Sequence, residues 1–130
     1  MSKNLWIIDD DEDELYLLHK ALNRLDATIL VSVFSDAEQA VSAWKQAITD
    51  NSYPQLICSD WNMLPLDGPD LFLTLESLTP EHQSTNFVLV TGAFPSDMKS
   101  RMEGFKQLTK TLLKPDIPRD LALQLISLLP

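Results

Sequence analysis

Short apolar runs alternate with longer amphipathic stretches along the chain. Leu5-Trp6-Ile7-Ile8 is a continuous apolar segment of the kind found in a strand buried on both faces, and Leu15, Leu18, Leu22 and Leu25 behind it recur at helical spacing. Thr28 to Phe34 is apolar and β-branched, which predicts a second strand. Ser35-Asp36-Ala37-Glu38 then has the form of a capping box, opening a helix whose inner stripe is Ala37, Ala40, Val41, Trp44 and Ile48. Asn51-Ser52-Tyr53-Pro54 breaks that helix, and Leu56-Ile57-Cys58-Ser59 reads as a third strand. Asp67-Gly68-Pro69 is turn chemistry with a proline where a helix can begin, ahead of Leu71, Phe72, Leu75 and Leu78. Phe87-Val88-Leu89-Val90 is a fourth strand, and Ser96 can cap a helix running to about Gln107. Leu112-Leu113 sits in a fifth strand, and Pro118 starts a last helix carrying Leu121, Leu125 and Leu128. Strands alternating with helices require right-handed crossovers, so the pattern predicts an α/β fold: a doubly wound parallel sheet covered on both faces.

Composition narrows what this scaffold can do. The 130 residues, 45% of them hydrophobic, suffice for one core, so residues 1–130 read as a single domain. Nineteen acids against ten Lys and Arg give a net charge of −9, which argues against nucleic acid or an anionic membrane surface as the main partner. No apolar run reaches the roughly eighteen residues a membrane span needs, and the N-terminal apolar stretch is too short for a signal peptide, so the expected location is cytoplasmic. Cys58, the single cysteine, has no internal disulfide partner. The acidity is local, because Asp9-Asp10-Asp11-Glu12-Asp13-Glu14 supplies six of the nineteen acids where the first strand meets the first helix.

In an open parallel sheet the functional crevice lies outside the carboxyl ends of the strands. The residues predicted there are Asp9 and Asp10, then Asp60, then Thr91, then Lys114. Two carboxylates about 4 Å apart repel by roughly 4 kcal/mol at an effective dielectric near 20, so a cluster of three needs a compensating charge. A hard divalent cation such as Mg²⁺ supplies it, since Mg²⁺ takes one or two carboxylates while also binding a phosphoryl oxygen. An aspartate can attack phosphorus to give an aspartyl phosphate, with a lysine pairing the new charge and a hydroxyl donating to another oxygen. Asp11, one position past the pair, is better explained as the cap of the first helix.

Four segments in this order resemble the receiver domain of two-component response regulators, CheY-like in layout, over essentially the whole chain. They are Trp6-Ile7-Ile8-Asp9-Asp10-Asp11; Ile57-Cys58-Ser59-Asp60-Trp61-Asn62-Met63 with Asp67-Gly68; Val88-Leu89-Val90-Thr91-Gly92; and Leu112-Leu113-Lys114-Pro115. The resemblance implies a flavodoxin-like (βα)5 fold with a five-stranded sheet in the order 2-1-3-4-5. It further implies Asp60 as phosphoacceptor, Asp10 as a direct Mg²⁺ ligand, Asp9 holding the metal largely through water, and the Asn62 backbone carbonyl as a further ligand. Thr91 becomes the switch hydroxyl, Lys114 the phosphate-binding amine, and the Lys114–Pro115 bond is expected to be cis. The implied protein is a single-domain response regulator without an effector domain, a phosphoacceptor and not an enzyme acting on a separate substrate. Its implied partners are a histidine kinase or phosphotransfer protein and a downstream protein, as monomer or weak homodimer. The alternatives are a pseudo-receiver that binds without phosphate and a Mg²⁺-dependent phosphatase using the Asp9-Asp10-Asp11 run.

The sequence departs from the family pattern at several positions. Leu64 stands where a proline normally follows the methionine position, with Pro65 one residue later. Thr111 occupies the place of the usual aromatic three residues before the lysine, the segment Phe105 to Lys110 is long, and Asp116 replaces a frequent phenylalanine. Lys99, Arg101, Lys106, Lys110 and Arg119 make the region of the fourth and fifth helices relatively basic, suited to an acidic partner or self-association. Trp61 reads as a wall of the site or a partner contact, Cys58 as a small buried hydrophobe, Trp44 as core, and His19 and His82 as residues without catalytic company.

Overall fold

Ten elements alternate along the chain as the hydrophobic pattern requires. In the computed structural model, which describes residues 3–80, 85–105 and 109–130, they are β1 (Lys3–Ile8), α1 (Glu12–Leu25), β2 (Ile29–Phe34), α2 (Ala37–Asp50), β3 (Leu56–Asp60), α3 (Gly68–Leu78), β4 (Asn86–Thr91), α4 (Met98–Met102), β5 (Thr109–Leu113) and α5 (Pro118–Leu128). The strands form one parallel sheet in the order β2-β1-β3-β4-β5. The expected α/β, flavodoxin-like architecture is therefore present, strand order included.

The sheet separates two cores, and strand alternation sorts residues between them. Leu5 and Ile7 of β1, Leu56 and Cys58 of β3, and Val88 and Val90 of β4 face one side, packed with Leu15, Leu18 and Leu22 of α1 and Leu121 and Leu125 of α5. Trp6, Ile8, Ile57, Phe87 and Leu89 face the other, packed with Ala40 and Trp44 of α2 and Leu71, Phe72 and Leu75 of α3. Trp44 is fully buried, and its indole N–H donates to the Leu75 carbonyl at 3.1 Å and the Thr79 hydroxyl at 2.9 Å, joining α2 to α3. It is core, as its place in the helical stripe indicated.

Side-chain caps start three helices where the turns lead into them. Asp11 accepts from the backbone N–H of Asp13 at 3.0 Å and of Glu14 at 3.2 Å at the start of α1, satisfying amides that a helix start leaves free. At α2 the cap is Asp36 rather than Ser35, accepting from the Gln39 amide at 2.8 Å. Asp67 caps α3 through the Asp70 amide at 2.9 Å, with Pro69 in the first turn. The expected fourth helix from Ser96 to about Gln107 is a single short segment, Met98–Met102, with Asp97 at its start; Gln107 itself lies outside the described residues. None of its five residues is buried, so little apolar packing supports the length a longer helix needs, and Gly104 follows two positions on. Among the described residues no helix is long and apolar enough to cross a membrane.

Candidate functional site

Sheet register assembles the site. Ile7 of β1 is level with Cys58 of β3 and Ile8 with Ser59, so the next residues, Asp9 and Asp60, emerge together at the carboxyl ends of the two central strands. Asp60 is level with Val90 on the next strand, and the Lys114 backbone N–H donates to the Thr91 carbonyl at 2.8 Å just beyond β5. One carboxylate oxygen from each of Asp9, Asp10 and Asp60 lies within 4.8 Å of the others. Adjacent strand ends thus bring together residues far apart in sequence, as the reading from strand ends required. A cavity of about 410 Å³ opens here, lined by Asp9, Glu14, Asp60 and Lys114 together with Cys58 and Leu121.

Each carboxylate is anchored differently. Asp9 is half-buried; its side chain accepts from the Asp11 N–H at 2.9 Å, and its own N–H donates to the Phe34 carbonyl at 3.1 Å. Asp10 is exposed and accepts from the Leu64 N–H at 3.3 Å, which joins the β1–α1 turn to the β3–α3 loop. Asp60 receives the backbone N–H groups of Asn62 and Trp61. Burial pushes Asp9 up to about 6, reinforced by the charge of Asp60 and opposed by the Asp11 amide and Lys114. Burial also raises Asp60, against the pull of Lys114 and the two amides. Partly desolvated carboxylates this close repel each other, and a hard cation relieves the repulsion; three oxygen donors with exposed Asp10 open to water are a donor set that fits Mg²⁺.

Lys114 carries the only basic side chain among the residues lining the cavity. Its Nζ lies 2.7 Å from Glu14 Oε2 and 3.8 Å from Asp9 Oδ2. Burial alone would lower this amine, and the hydrogen bond it donates to Glu14, with the charges of Asp9, Glu14 and Asp60, more than reverses that, so it stays protonated. Thr91 is fully buried, and its hydroxyl donates to the Ala93 carbonyl at 2.8 Å. Gly92 beside it has nothing within 4 Å of where a side chain would start, which leaves open space next to the cluster. Cys58, 4% exposed, is pushed up to about 12 by burial and then by Asp9 and Asp60, so it is an inert hydrophobe of the core.

Several features were not read from the sequence, and several expectations change. Glu14 as the partner of Lys114 is one: six consecutive acids give no sign of which one turns toward β5. A second is Arg101, read as part of a basic outer face, which instead points inward and donates to Asp67 from two nitrogens, at 2.7 and 2.9 Å, and to Asp70 at 3.0 Å. Its guanidinium lies 5.7 Å from the centre of the Trp61 ring. Trp61, at 3% exposure, is a core residue beneath the site and offers no surface for a partner. Gly68 lies so close to the end of β3 that a Cβ there would sit 2.5 Å from the Asp60 carbonyl oxygen. The cis peptide among the described residues is Leu64–Pro65; Lys114–Pro115 is trans, with the Lys114 N–H bonded to the strand-end carbonyl of Thr91. Thr111, in the usual aromatic position, directs its hydroxyl at Met102 Sδ, 3.3 Å away on α4. His82 and Lys106 lie outside the described residues.

No family model and no curated protein sequence matches the chain. Solved structures do. Vibrio cholerae chemotaxis protein CheY4 superposes with a TM-score of 0.78 at 20% identity, covering 98% of this chain and 99% of its own. The chain has the receiver-domain fold. The signal receiver domain of an HD domain-containing protein from Pseudomonas fluorescens Pf-5 gives a receiver match of 0.74 at 21% identity, over 98% of this chain and 94% of that one. The phosphorylated cyanobacterial phytochrome response regulator RcpA gives 0.76 at 17% identity, over 98% and 91%. These receiver folds match nearly the whole chain at 17–21% identity.

Proposed function

We propose that this protein is a response regulator receiver that accepts a phosphoryl group on Asp60 from a histidine kinase or phosphotransfer protein and signals by binding a downstream protein. The observation that carries this reading is the convergence of Asp9, Asp10 and Asp60 with Lys114 at the carboxyl end of the sheet. In open parallel sheets this rim is where ligands bind, and one structural neighbour, RcpA, is a phosphorylated response regulator, which supports the reading. Asp9, Asp10 and Asp60, with the Asn62 backbone carbonyl, would hold Mg²⁺, whose charge offsets the carboxylates and the incoming phosphoryl oxygens.

The chain's own groups then divide the work. An Asp60 carboxylate oxygen attacks phosphorus as the P–N bond to the donor histidine breaks (the P–O bond to acetate when acetyl phosphate is the donor), leaving the imidazole free and the phosphoryl group on Asp60 as an aspartyl phosphate. The Trp61 and Asn62 amides orient the Asp60 carboxylate. Lys114 leaves Glu14 to pair with the transferred group, and the Thr91 hydroxyl exchanges the Ala93 carbonyl for a phosphoryl oxygen. The reaction occurs once per protein molecule, so the product is the modified regulator itself. A cytoplasmic location follows from a cytoplasmic phosphodonor. Incubation with acetyl phosphate tests the reading by intact mass: wild type gains one phosphoryl group in Mg²⁺ and none in chelator, and Asp60→Asn gains none. Uptake by Asp60→Asn would overturn it.

A further inference from the structure

We propose that Arg101 is a positioning residue that ties α4 to the loop following Asp60, so that a change at Asp60 reaches α4 through Trp61, Arg101 and Asp67. This rests on the phosphoacceptor reading above and adds to it the path by which the site is read at the surface.

Residues 61–67 between Asp60 and α3 are pinned at both ends. The Trp61 N–H donates to the Val90 carbonyl at 2.8 Å, and the Gly68 N–H donates back to the Trp61 carbonyl at 2.8 Å. Asp67 holds the first turn of α3 through the Asp70 amide. The absent side chain of Gly68 is what lets α3 lie against the Asp60 carbonyl. A packed loop of this kind has discrete arrangements and does not deform continuously, so a shift of Asp60 moves Trp61 and Asp67 with it.

The polar contact between helix α4 and this loop is made by Arg101. The helix has no buried residue; Met98 and Met102 pack only partly against the core. Arg101 by contrast grips Asp67 with both terminal nitrogens, reaches Asp70, and lies near the Trp61 ring. Both partners of the Arg101–Asp67 pair are about three-quarters sheltered, at 26% and 27% exposure, which places it above an ordinary surface ion pair. Arginine suits this place because its planar fork matches the carboxylate while its face lies toward the indole. On the other flank α4 has the softer contact of Met102 Sδ with the Thr111 hydroxyl, where an aromatic side chain is absent. The stronger of these two polar links from α4 therefore runs through Arg101 to the loop after Asp60.

The test is amide hydrogen exchange on the full chain, wild type, Arg101→Gln and Arg101→Lys, each with and without acetyl phosphate and Mg²⁺, with intact mass recorded in parallel. In untreated protein Arg101→Gln should raise exchange over Met98–Met102 on the order of tenfold while α2 is unchanged, with Arg101→Lys in between. On phosphorylation wild type should show altered exchange in α4, and Arg101→Gln should take up the phosphoryl group yet lose that response. An unchanged α4 in untreated Arg101→Gln, or a wild-type response preserved in that variant, overturns the proposal. If no protein gains mass, the phosphoacceptor reading fails, and the untreated comparison still decides whether Arg101 tethers α4. If Arg101→Gln loses protection in α2 as well, Arg101→Lys, which keeps the charge, decides: wild-type exchange and response in α4 with only one hydrogen-bonding nitrogen would overturn the positioning role.

Discussion

Lys114 Nζ lies 2.7 Å from Glu14 Oε2, over 1 Å nearer than its 3.8 Å approach to Asp9. The amine at the end of β5 is thus held by the first turn of α1, and to serve a phosphoryl group on Asp60 it has to leave a partner. Glu14 is half-exposed, and such pairs contribute about 0–1 kcal/mol, so the restraint is modest. Glu14→Gln should speed phosphoryl uptake by up to about fivefold, the rate equivalent of that energy. Stopped-flow or quench kinetics with acetyl phosphate would check it, and a slower variant would show that Glu14 helps to place Lys114.

The carboxylate cluster makes a pH prediction whose sign differs from ordinary acid unfolding. Asp9 titrates near 6 in the fold against 3.8 for the free side chain, and Asp60 is raised as well. Folding therefore favours the protonated forms: this contribution is complete below about 3.8 and is lost as pH rises through about 6. In chelator the melting temperature should be higher at pH 5 than at pH 7, and Asp9→Asn should flatten the difference. With saturating Mg²⁺ the order should reverse, since metal binding needs the ionised carboxylates. Thermal melts at the two pH values, with and without Mg²⁺, give all four quantities.

Two glycines should behave oppositely on substitution by alanine. At Gly68 the new Cβ would meet the Asp60 carbonyl at 2.5 Å, a Leu89 methyl at 2.6 Å and the Trp61 Cα at 3.1 Å, and two of these belong to backbone. Gly68→Ala is expected to cost about 1–3 kcal/mol, as overpacking does, and to slow uptake at Asp60. At Gly92 nothing lies within 4 Å and the backbone is not left-handed, so Gly92→Ala should leave stability within about 0.5 kcal/mol of wild type. Urea denaturation of the two variants separates these outcomes.

Most of the fold was legible because each element announces its period. Apolar runs of three or four residues marked the central strands, and the leucine stripes of α1, α3 and α5 marked the helices that cover them. The grouping of Asp9, Asp10, Asp60 and Lys114 was legible for the same reason, since each stands where an apolar strand stops. Helix α4 was overextended because Ser96 offered a start by its capping chemistry, while Met98, Met102 and Phe105 are only partly buried. A capping residue marks where a helix can begin without reporting how much packing sustains it. The inward turn of Arg101 toward Asp67, 34 residues away, left no mark in sequence, because a long charged side chain on a short helix looks the same whether it meets solvent or a carboxylate. Glu14 was hidden among five neighbours of the same charge, and Trp61 was misplaced because residues beside a strand-end carboxylate can face either core or solvent.

The central claim is that Asp60 itself receives the phosphoryl group. Tandem mass spectrometry of wild type after acetyl phosphate and Mg²⁺ locates the modification directly. The expected result is a single acyl phosphate on Asp60, with none on Asp9 or Asp10. A phosphoryl group on Asp9 would mark a different nucleophile at the same rim, and an unmodified chain under conditions where Mg²⁺ binds would mark a receiver fold that signals without phosphate; either contradicts the claim.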